Sequence, residues 1–482
     1  MSYFLAVDLG TTGCRSIIFD GGLNILASSY SEYALITPRE MWVEQSSLDW
    51  WELTLRTAGE AIGLSGISPS EIKSIAISSQ GITVVPVDEN INPLCNALTW
   101  LDTRATAEAE RISRDFGERI YKITGKEAKP DYTLPKLLWL REHEPEIFGR
   151  AYKFLLPSDF LVARLVGGRC VTDRSMASGT LMYDLARGEW SAEILEKYQI
   201  DIAKLPEVAD ATAPAGRVCP EVAQRLGLSP DCMVAVGAQD QKCAAYGVGL
   251  DMGIMTVSLG TAAAVTKLWR EPLTDINAGV GWCGYVRPDR FVTEGVIDTA
   301  ATCLRWVRDI MFGGCGYDVI SAEAEAARER GSSLVFTPYL AGPSDPDAYP
   351  ASTGVFHGVT LATRRGDFAL AVMEGVAFGL RRILEAMEAY GSVESLILFG
   401  GGAKSDIWCK IIADVTGLRI LVPTTSEAAG AGAARIAAHA VGERLSPLGF
   451  ERCYEPSERS AEYAEKYKKY IELEKRLFVT EG

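Results

Sequence analysis

The feature that most constrains the fold is a short motif that occurs twice, once in each half of the chain. Residues 4–20 read FLAVDLGTTGCRSIIFD, and residues 253–268 read GIMTVSLGTAAAVTKL. In both, an apolar run leads into Leu-Gly-Thr and then into a second apolar run, which predicts two buried strands joined by a tight turn. The chain's 482 residues also exceed one ordinary core. The repetition therefore predicts two domains related by duplication.

Each turn carries groups that suit a phosphate ligand. Glycine lets the backbone N–H groups approach a ligand closely, and threonine hydroxyls lie beside them. In the first turn Asp8 adds a carboxylate that can hold a hydrated Mg²⁺. The phosphate-binding candidates are Gly10, Thr11 and Thr12 in the first turn and Gly260 and Thr261 in the second. Two plain β-hairpins without a ligand are the simpler alternative, which the first turn alone leaves open.

A third glycine cluster lies in residues 396–417, LILFGGGAKSDIWCKIIADVTG. The pattern predicts a strand, a glycine turn and then an amphipathic helix. Three glycines remove side chains where a flat ligand can approach the backbone, whereas a plain strand-to-helix turn needs about one. No Walker A sequence and no clean G-x-G-x-x-G occurs anywhere in the chain.

Asp240 is the candidate catalytic residue. It follows the apolar run 233–236 and Gly237, and it precedes a helix rich in small residues. A carboxylate in that position can point into a cleft and accept the proton of a substrate hydroxyl. The alternative is that Asp240 only caps the helix.

Composition excludes several classes of function. The net charge of −15 argues against a nucleic-acid partner. Eleven cysteines without a Cys-x-x-Cys pair, and only three histidines, argue against zinc and favour a reducing compartment. No run of about eighteen apolar residues and no secretory leader is visible, so we expect a cytoplasmic protein with no membrane partner.

Two longer segments resemble the signatures of the FGGY carbohydrate kinases. They are TLPKLLWLREH at 133–143, which departs from the family pattern at the preceding Asp131, and GVFHGVTLATRRGDFALAVMEG at 354–375. The resemblance implies an α/β fold of two ribonuclease H-like domains of the actin and Hsp70 type. It also implies mixed sheets flanked by helices, with the active site in the cleft between the domains. We place an N-terminal sugar-binding domain at 1–246 and a C-terminal nucleotide-binding domain at 247–482.

The resemblance also assigns roles to the candidate residues. ATP and Mg²⁺ are implied as cofactors, with Asp8 on the metal side and Asp240 as the catalytic base. The two turns would hold the phosphates. The adenosine loop would consist of Gly401, Gly402 and Ala403. The N-terminal half is most similar to xylulose kinases of the D- or L-xylulose type, which implies a pentulose substrate. Dimers are common among the relatives, so a homodimer is one expectation.

The sugar side has four further candidates, two in each of two segments. The candidates are Gln80 and Gly81 in ISSQGITVVPVD and Asp102 and Arg104 in WLDTRA. A surface ion pair is the alternative for the second pair. Xylulose kinases usually have Met and His where Gly81 and Ile82 stand, and a Glu-Arg pair where Pro343 and Ser344 stand. These departures leave a polyol such as glycerol or erythritol open as the substrate, and a non-enzymatic, actin- or Hsp70-like nucleotide switch is the alternative of another class.

Overall fold

The structure is a computed structural model that describes residues 2–272, 280–346, 349, 351–388 and 390–478. These residues form two large mixed β-sheets, one from each half of the chain, with helices on their faces. This confirms the predicted α/β fold with mixed sheets flanked by helices. The last four residues of the predicted second domain, 479–482, lie outside the described part of the chain.

The strands and helices follow one another along the whole described chain. In chain order the strands are β1 (Tyr3–Leu9), β2 (Gly13–Asp20), β3 (Ile25–Glu32), β4 (Glu44–Gln45), β5 (Ile72–Ser79), β6 (Val85–Val87), β7 (Ala97–Leu98), β8 (Lys153–Leu155), β9 (Val171–Asp173), β10 (Tyr183–Asp184), β11 (Glu189–Trp190), β12 (Glu207–Ala209), β13 (Pro214–Arg217), β14 (Met233–Ala235), β15 (Ala238–Gln239), β16 (Ile254–Leu259), β17 (Ala263–Trp269), β18 (Gly281–Gly284), β19 (Phe291–Ile297), β20 (Val335–Thr337), β21 (Val355–His357), β22 (Ser395–Phe399), β23 (Arg419–Pro423) and β24 (Phe450–Tyr454). The α-helices are α1 (Ser47–Ser65), α2 (Thr106–Phe116), α3 (Glu118–Thr124), α4 (Thr133–His143), α5 (Pro145–Arg150), α6 (Pro157–Val166), α7 (Arg174–Ala177), α8 (Ala192–Tyr198), α9 (Pro220–Leu226), α10 (Asp240–Gly247), α11 (Ala301–Met311), α12 (Tyr317–Glu329), α13 (Arg365–Glu388), α14 (Asp406–Thr416), α15 (Ala428–Ala440) and α16 (Ser460–Phe478).

The two large sheets repeat one strand order, as the duplicated motif predicted. The first runs β13-β14-β5-β1-β2-β3, and the second runs β18-β19-β17-β16-β22-β23-β24. In the first sheet β1 is antiparallel to β2 and parallel to β5, and in the second β16 is antiparallel to β17 and parallel to β22. Asp8 lies opposite Arg15 in one hairpin, and Ser258 lies opposite Ala264 in the other. The two turns therefore occupy equivalent places in the two sheets.

Helices α10 and α15 join the two halves. Helix α15 belongs to the second half in sequence but packs across β1 and β5 of the first sheet, and α10 packs against α15. Their core includes Phe4 and Ile17 from the first sheet and Leu268 and Ile397 from the second. The halves thus share one buried apolar cluster around these two helices.

Small residues make this helix contact possible. A Cβ atom added at Gly432 would lie 1.8 Å from the carbonyl oxygen of Cys243, so a larger residue would force the helices apart. Helix α15 consists almost entirely of small residues, as such a close approach of two helices requires. The predicted boundary between residues 246 and 247 falls in the last turn of α10, and this division into domains stays a prediction.

The halves also meet at a second place. A buried cluster built mainly from the helices of residues 105–200 includes Trp269, Trp282 and Phe291 from the second half. The Trp282 N–H donates to the Gly125 carbonyl over 2.9 Å, and the Tyr121 hydroxyl donates to the Val280 carbonyl over 2.9 Å. Two separate contacts therefore fix how the sheets, and the turns they carry, face each other.

Candidate functional site

The turn between β1 and β2 is held in one shape by its surroundings. The Gly10 N–H donates to the Gly13 carbonyl over 3.0 Å and closes the turn. The Gln45 side-chain amide donates to the Thr11 carbonyl over 2.6 Å, and the Trp100 indole N–H donates to the Thr11 hydroxyl over 2.9 Å. Strand pairing positions the turn, and these side chains keep it ordered.

The equivalent turn between β16 and β17 lies against the start of α11. The Gly260 N–H donates to the Ala262 carbonyl over 2.9 Å, which closes this turn one residue earlier than the first. The Ala301 N–H donates to the Gly260 carbonyl, and the Ala300 N–H donates to the Thr261 carbonyl, both over 3.0 Å. The partial positive charge at the start of a helix favours an anion nearby. The N–H groups of Ala300 and Ala301 are used by carbonyls of the turn, so the start of α11 holds the turn in place, and phosphate binding there stays a prediction.

Packing requires glycine at some positions of these turns and not at others, as the space for an added Cβ atom shows. A Cβ atom at Gly13 would lie 2.6 Å from a backbone oxygen, and one at Gly402 would lie 2.5 Å from a leucine side chain. By contrast, a Cβ at Gly10 or Gly260 would meet its nearest atom at 3.8 or 3.7 Å, and one at Gly401 would meet nothing within 4 Å. None of these last three has a positive φ. The protein's own packing therefore does not require glycine at these three positions, and close approach of a ligand there stays a prediction.

A pocket of about 330 Å³ opens beside the third glycine cluster. Gly401, Gly402 and Ala403 form most of a short 3₁₀ helix after β22. Of the predicted adenosine loop only Ala403 lines the pocket, beside Gly400 and Lys404, whereas Gly401 and Gly402 are not among its lining residues. The rest of the wall comes from Phe399, from residues 422–426 at the end of β23 and from residues 451–452 of β24. Its size and its mixture of apolar and hydroxyl groups suit a small organic group such as a nucleoside. The sequence analysis missed residues 422–426, because nothing in their pattern separates them from an ordinary strand end.

Asp240 is the first residue of α10, and it does not cap that helix. The cap is Gln239, whose side-chain oxygen accepts from the N–H groups of Gln241 and Lys242 over 3.0 and 3.3 Å. The capping alternative for Asp240 is therefore wrong. Its Oδ1 accepts from the Gln241 N–H over 2.7 Å and from the Gln239 side chain, whereas no hydrogen bond to Oδ2 is found among the described residues. One carboxylate oxygen is thus positioned and the other is available.

The charge of Asp8 affects the ionisation of Asp240. Burial first, and then the negative charge of Asp8, raise the pKa of Asp240 to about 7. Burial raises the pKa of Asp8 to about 6 against the Ser78 hydroxyl, which donates to Asp8 Oδ1 over 2.9 Å. Both side chains keep part of their surface exposed even though protein groups surround them. Two enclosed carboxyls with raised pKa values, one of them raised in part by the charge of the other, are typical of sites that bind a cation or move a proton.

Glu427, at the start of α15, brings a third carboxylate to this place from the other half of the chain. It pairs with Arg15 over 3.1 Å, and its charge adds to the rise in the pKa of Asp8. Carboxylate oxygens are ligands that Mg²⁺ prefers, and binding of Mg²⁺ beside Asp8 stays a prediction. The sequence analysis missed Glu427, because it introduces a helix of small residues that packing alone explains.

A buried charge cluster behind Asp240 also escaped the sequence analysis. Lys242 forms a close ion pair with Glu294 of β19, and the Lys126 ammonium lies 3.1 Å from the Cys283 sulfur. Burial opposes the charged form of Glu294, yet the lysines hold its pKa below the usual value. Since Lys242 lies two residues after Asp240, this pair anchors α10 to the second sheet. Its members lie far apart in sequence, so no local pattern could reveal it.

The sugar-side segment at the end of β5 lies beside Gln239, the neighbour of Asp240. Gln80 is 2% exposed, and a Cβ atom at Gly81 would lie 3.1 Å from the Gln239 side chain. Ile82 has a φ of 67°, which is unfavourable for a β-branched residue. Strained backbone of this kind is concentrated at functional sites. The structure thus brings Gln80 and Gly81 next to the catalytic candidate.

Asp102 and Arg104 lie in the interior and not on the surface. The Arg104 guanidinium pairs with Asp102 over 2.6 Å and with Glu44 over 2.7 Å, and it stacks on the Trp42 ring at 3.8 Å. Asp102 also accepts from the Val43 N–H over 2.7 Å. The alternative of a surface ion pair is therefore wrong as to place. Direct contact of Asp102 and Arg104 with a sugar stays a prediction.

Comparison with known proteins adds relatives of known activity. The family model for the N-terminal domain of the FGGY family of carbohydrate kinases matches residues 3–247, and the model for the C-terminal domain matches residues 255–441. The chain is 31% identical to the xylulose kinase of Bacillus subtilis over 99% of its own length and 97% of that protein. It is 28% identical to the gluconokinase of Bacillus licheniformis, covering 99% of this chain and 96% of that protein.

A solved structure agrees with these matches. The crystal structure of a xyloylose kinase from Brucella ovis superimposes with a TM-score of 0.91 at 30% identity, covering 98% of this chain and 99% of that one. Among the described helices none is both long and apolar enough to cross a membrane. The predicted kinase activity and the two-domain, actin- and Hsp70-type fold are confirmed. This rules out the alternative of a non-enzymatic nucleotide switch. The chain belongs to the FGGY family of carbohydrate kinases.

Proposed function

We propose that this carbohydrate kinase transfers the γ-phosphoryl group of ATP in line to a hydroxyl of a pentulose such as xylulose, with Asp240 as the general base. The observation that carries the proposal is the Asp240 carboxyl. It has one oxygen free of hydrogen bonds to described residues and a pKa of about 7, and it interacts with Asp8 beside the first turn. The names of the relatives favour xylulose as the sugar.

The proposed chemistry asks little of the protein beyond position and charge. Phosphoryl transfer passes through a loose transition state, so alignment and charge neutralisation contribute most. Asp240 Oδ2 accepts the hydroxyl proton, and a pKa near the working pH makes it an effective base. Its Oδ1, held by the Gln241 N–H over 2.7 Å, keeps the carboxylate from rotating.

The phosphates lie, in this proposal, between the two equivalent turns. The open space at Gly10 and Gly260 lets phosphate oxygens approach the backbone, and Thr11, Thr12 and Thr261 supply hydroxyl groups. Bound Mg²⁺ would neutralise phosphate charge on the side of Asp8, with Glu427 as a further acidic group. The nucleoside lies in the pocket beside the third glycine cluster, where Gly400 and Ala403 form part of the wall.

The identity of the acceptor depends on the segment around Gly81 and Ile82. A polar site rejects the wrong stereoisomer because the groups that the right hydroxyl would satisfy stay unpaired. The first alternative is a polyol such as glycerol or erythritol, since Gly81 and Ile82 stand where xylulose kinases usually have Met and His. Gluconate is the second alternative, because a gluconokinase is among the relatives.

The test is a coupled ADP-release assay with ATP and Mg²⁺ over D-xylulose, L-xylulose, D-ribulose, glycerol, erythritol and gluconate. The proposal expects kcat/KM for one pentulose to exceed the value for every polyol and for gluconate at least about tenfold. A higher kcat/KM for glycerol, erythritol or gluconate would show that this compound, and not a pentulose, is the acceptor. ADP release that is independent of any acceptor would contradict it.

A further inference from the structure

We propose that Gln45 is a positioning residue of the sugar site. It fixes the orientation of the Gln80 amide so that Gln80 Oε1 accepts a hydrogen bond from one hydroxyl of the sugar. The same contact ties the sugar site to the first phosphate turn. The inference rests on the proposed function, since it concerns the acceptor that this site binds.

The orientation of Gln45 follows from its partner. Gln45 lies in β4, paired with β7, and is fully buried. Its side chain contacts the Thr11 carbonyl over 2.6 Å. A backbone carbonyl oxygen can only accept hydrogen bonds, so Gln45 must turn its NH₂ group toward Thr11. The Oε1 atom of Gln45 therefore faces away from the turn.

The orientation of Gln80 follows in the same way. Gln45 Oε1 can only accept, so Gln80 presents its NH₂ group there, over 2.8 Å. This leaves Gln80 Oε1 as the end of the relay, and it has no donor among the described residues. A buried acceptor without a donor is costly, so a ligand that brings an O–H group to it gains affinity. Neither amide can turn over without breaking a bond within the relay.

Gln80 Oε1, the acceptor atom without a donor, lies where a sugar would have to bind in order to be phosphorylated. The Gln80 N–H donates to the Leu9 carbonyl over 2.9 Å, which places Gln80 directly beside the first turn. Its neighbour Gly81 lies beside Gln239, which in turn donates to Asp240. Gln80 Oε1 thus belongs to the stretch that connects the phosphate turn with the proposed base.

Two consequences can be measured. The first is that the site requires a hydrogen-bond donor, so an analogue without the hydroxyl that meets Gln80 loses about 10- to 100-fold in kcat/KM. The second is that the shape of the phosphate turn depends on Gln45, because Gln45 holds the Thr11 carbonyl. If Gln45 only filled space, its replacement would change neither the rejection of the deoxy analogue nor the affinity for nucleotide.

The experiment compares Gln45→Met and Gln80→Met with Gln224→Met, the same change at an exposed position of α9. The sugar arm measures kcat/KM for D-xylulose and for its 1-deoxy, 3-deoxy and 4-deoxy analogues. We expect wild type and Gln224→Met to reject one analogue about 10- to 100-fold and both other variants to reject it less than about threefold. Unchanged rejection of that analogue by Gln45→Met overturns the proposal.

The nucleotide arm titrates ADP in the presence of Mg²⁺ by calorimetry and needs no sugar. We expect Gln45→Met to weaken ADP binding about 3- to 10-fold and Gln80→Met to leave it within about twofold. Equal ADP affinity of Gln45→Met and wild type overturns the link to the phosphate turn, even if wild type phosphorylates none of the sugars and the proposed function itself fails. If Gln45→Met does not fold, Gln45→Glu replaces it, because its carboxylate cannot donate to the Thr11 carbonyl.

Discussion

Replacing Asp240 with asparagine should abolish phosphoryl transfer and at the same time stabilise the ligand-free protein above neutral pH. The change keeps the size of the side chain and removes its ability to hold a negative charge. General-base catalysis contributes about 10²- to 10⁴-fold, so kcat should fall by at least about 10²-fold. ADP affinity should stay within about threefold, because Asp240 is not proposed to contact the nucleotide.

The gain in stability follows from the raised pKa. A rise from 3.8 to about 7 corresponds to about 4 kcal/mol at about 1.36 kcal/mol per pKa unit, as an upper limit. Because the pKa in the folded protein lies above that in the unfolded chain, the protonated carboxyl is the form that folding favours. Its contribution is complete below about pH 4 and is lost as the pH rises through about 7. Asp240→Asn should therefore be about 2–4 kcal/mol more stable than wild type at pH 8 and nearly equal at pH 4.

Urea unfolding at pH 4, 6 and 8, without nucleotide or Mg²⁺, measures this difference. Other carboxyls with raised pKa values, such as Asp8, change the absolute stability of both proteins, but they affect the difference between them less. Asp240→Glu is the matched control, because it keeps the charge. Retained transfer in Asp240→Asn, or a stability difference that does not grow between pH 4 and pH 8, would refute the reasoning.

Three further predictions concern neighbouring groups. Gly401→Ala should leave the melting temperature unchanged, since the added Cβ meets nothing within 4 Å, but should raise the KM for ATP about tenfold. Gly402→Ala should instead lower stability by about 1–3 kcal/mol. Equal effects of the two variants in thermal melts and ATP kinetics would contradict the inference that Gly401 is open to a ligand and Gly402 is not. Lys242→Met should destabilise the protein by up to about 3 kcal/mol in urea unfolding, because it removes the ion-pair partner of the largely enclosed Glu294 carboxylate while Lys126 remains nearby. The double variant with Glu294→Gln should recover part of that loss. No recovery would show that the ion pair is not the cause. In wild type, kcat/KM for the sugar should rise about tenfold per pH unit below about 7 and then level off, because only ionised Asp240 accepts a proton. A pH profile without this rise, or a rise that Asp240→Glu and Asp240→Asn both keep, would show that Asp240 does not cause it.

The parts of the fold that local pattern determines could be predicted from the sequence. The two hairpins around Gly10 and Gly260 were readable because apolar alternation and turn glycines are local signals. The same holds for the strand, glycine turn and helix around Gly401. Their equivalence was readable because the motif recurs, and the repeated strand order agrees with it.

Contacts between distant segments could not be predicted in this way. Helix α15 packs on the first sheet although its sequence follows the second, and only the three-dimensional arrangement shows that Glu427 meets Arg15. The ion pair of Lys242 with Glu294 joins helix α10 to strand β19 of the second sheet, across 52 positions of sequence. The place of Asp102 could not be predicted either. The nearby Arg104 suggested a surface ion pair, but the Asp102 side chain is fully buried.

The most direct test of the central claim is a crystal structure of the Asp240→Asn variant with ATP, Mg²⁺ and the sugar that wild type phosphorylates best. The account predicts phosphates between the turns at Gly10 and Gly260, the nucleoside beside Gly401, and a sugar hydroxyl within about 3 Å of the residue 240 side chain. A triphosphate bound away from either turn, or a sugar with no hydroxyl near residue 240, would contradict it.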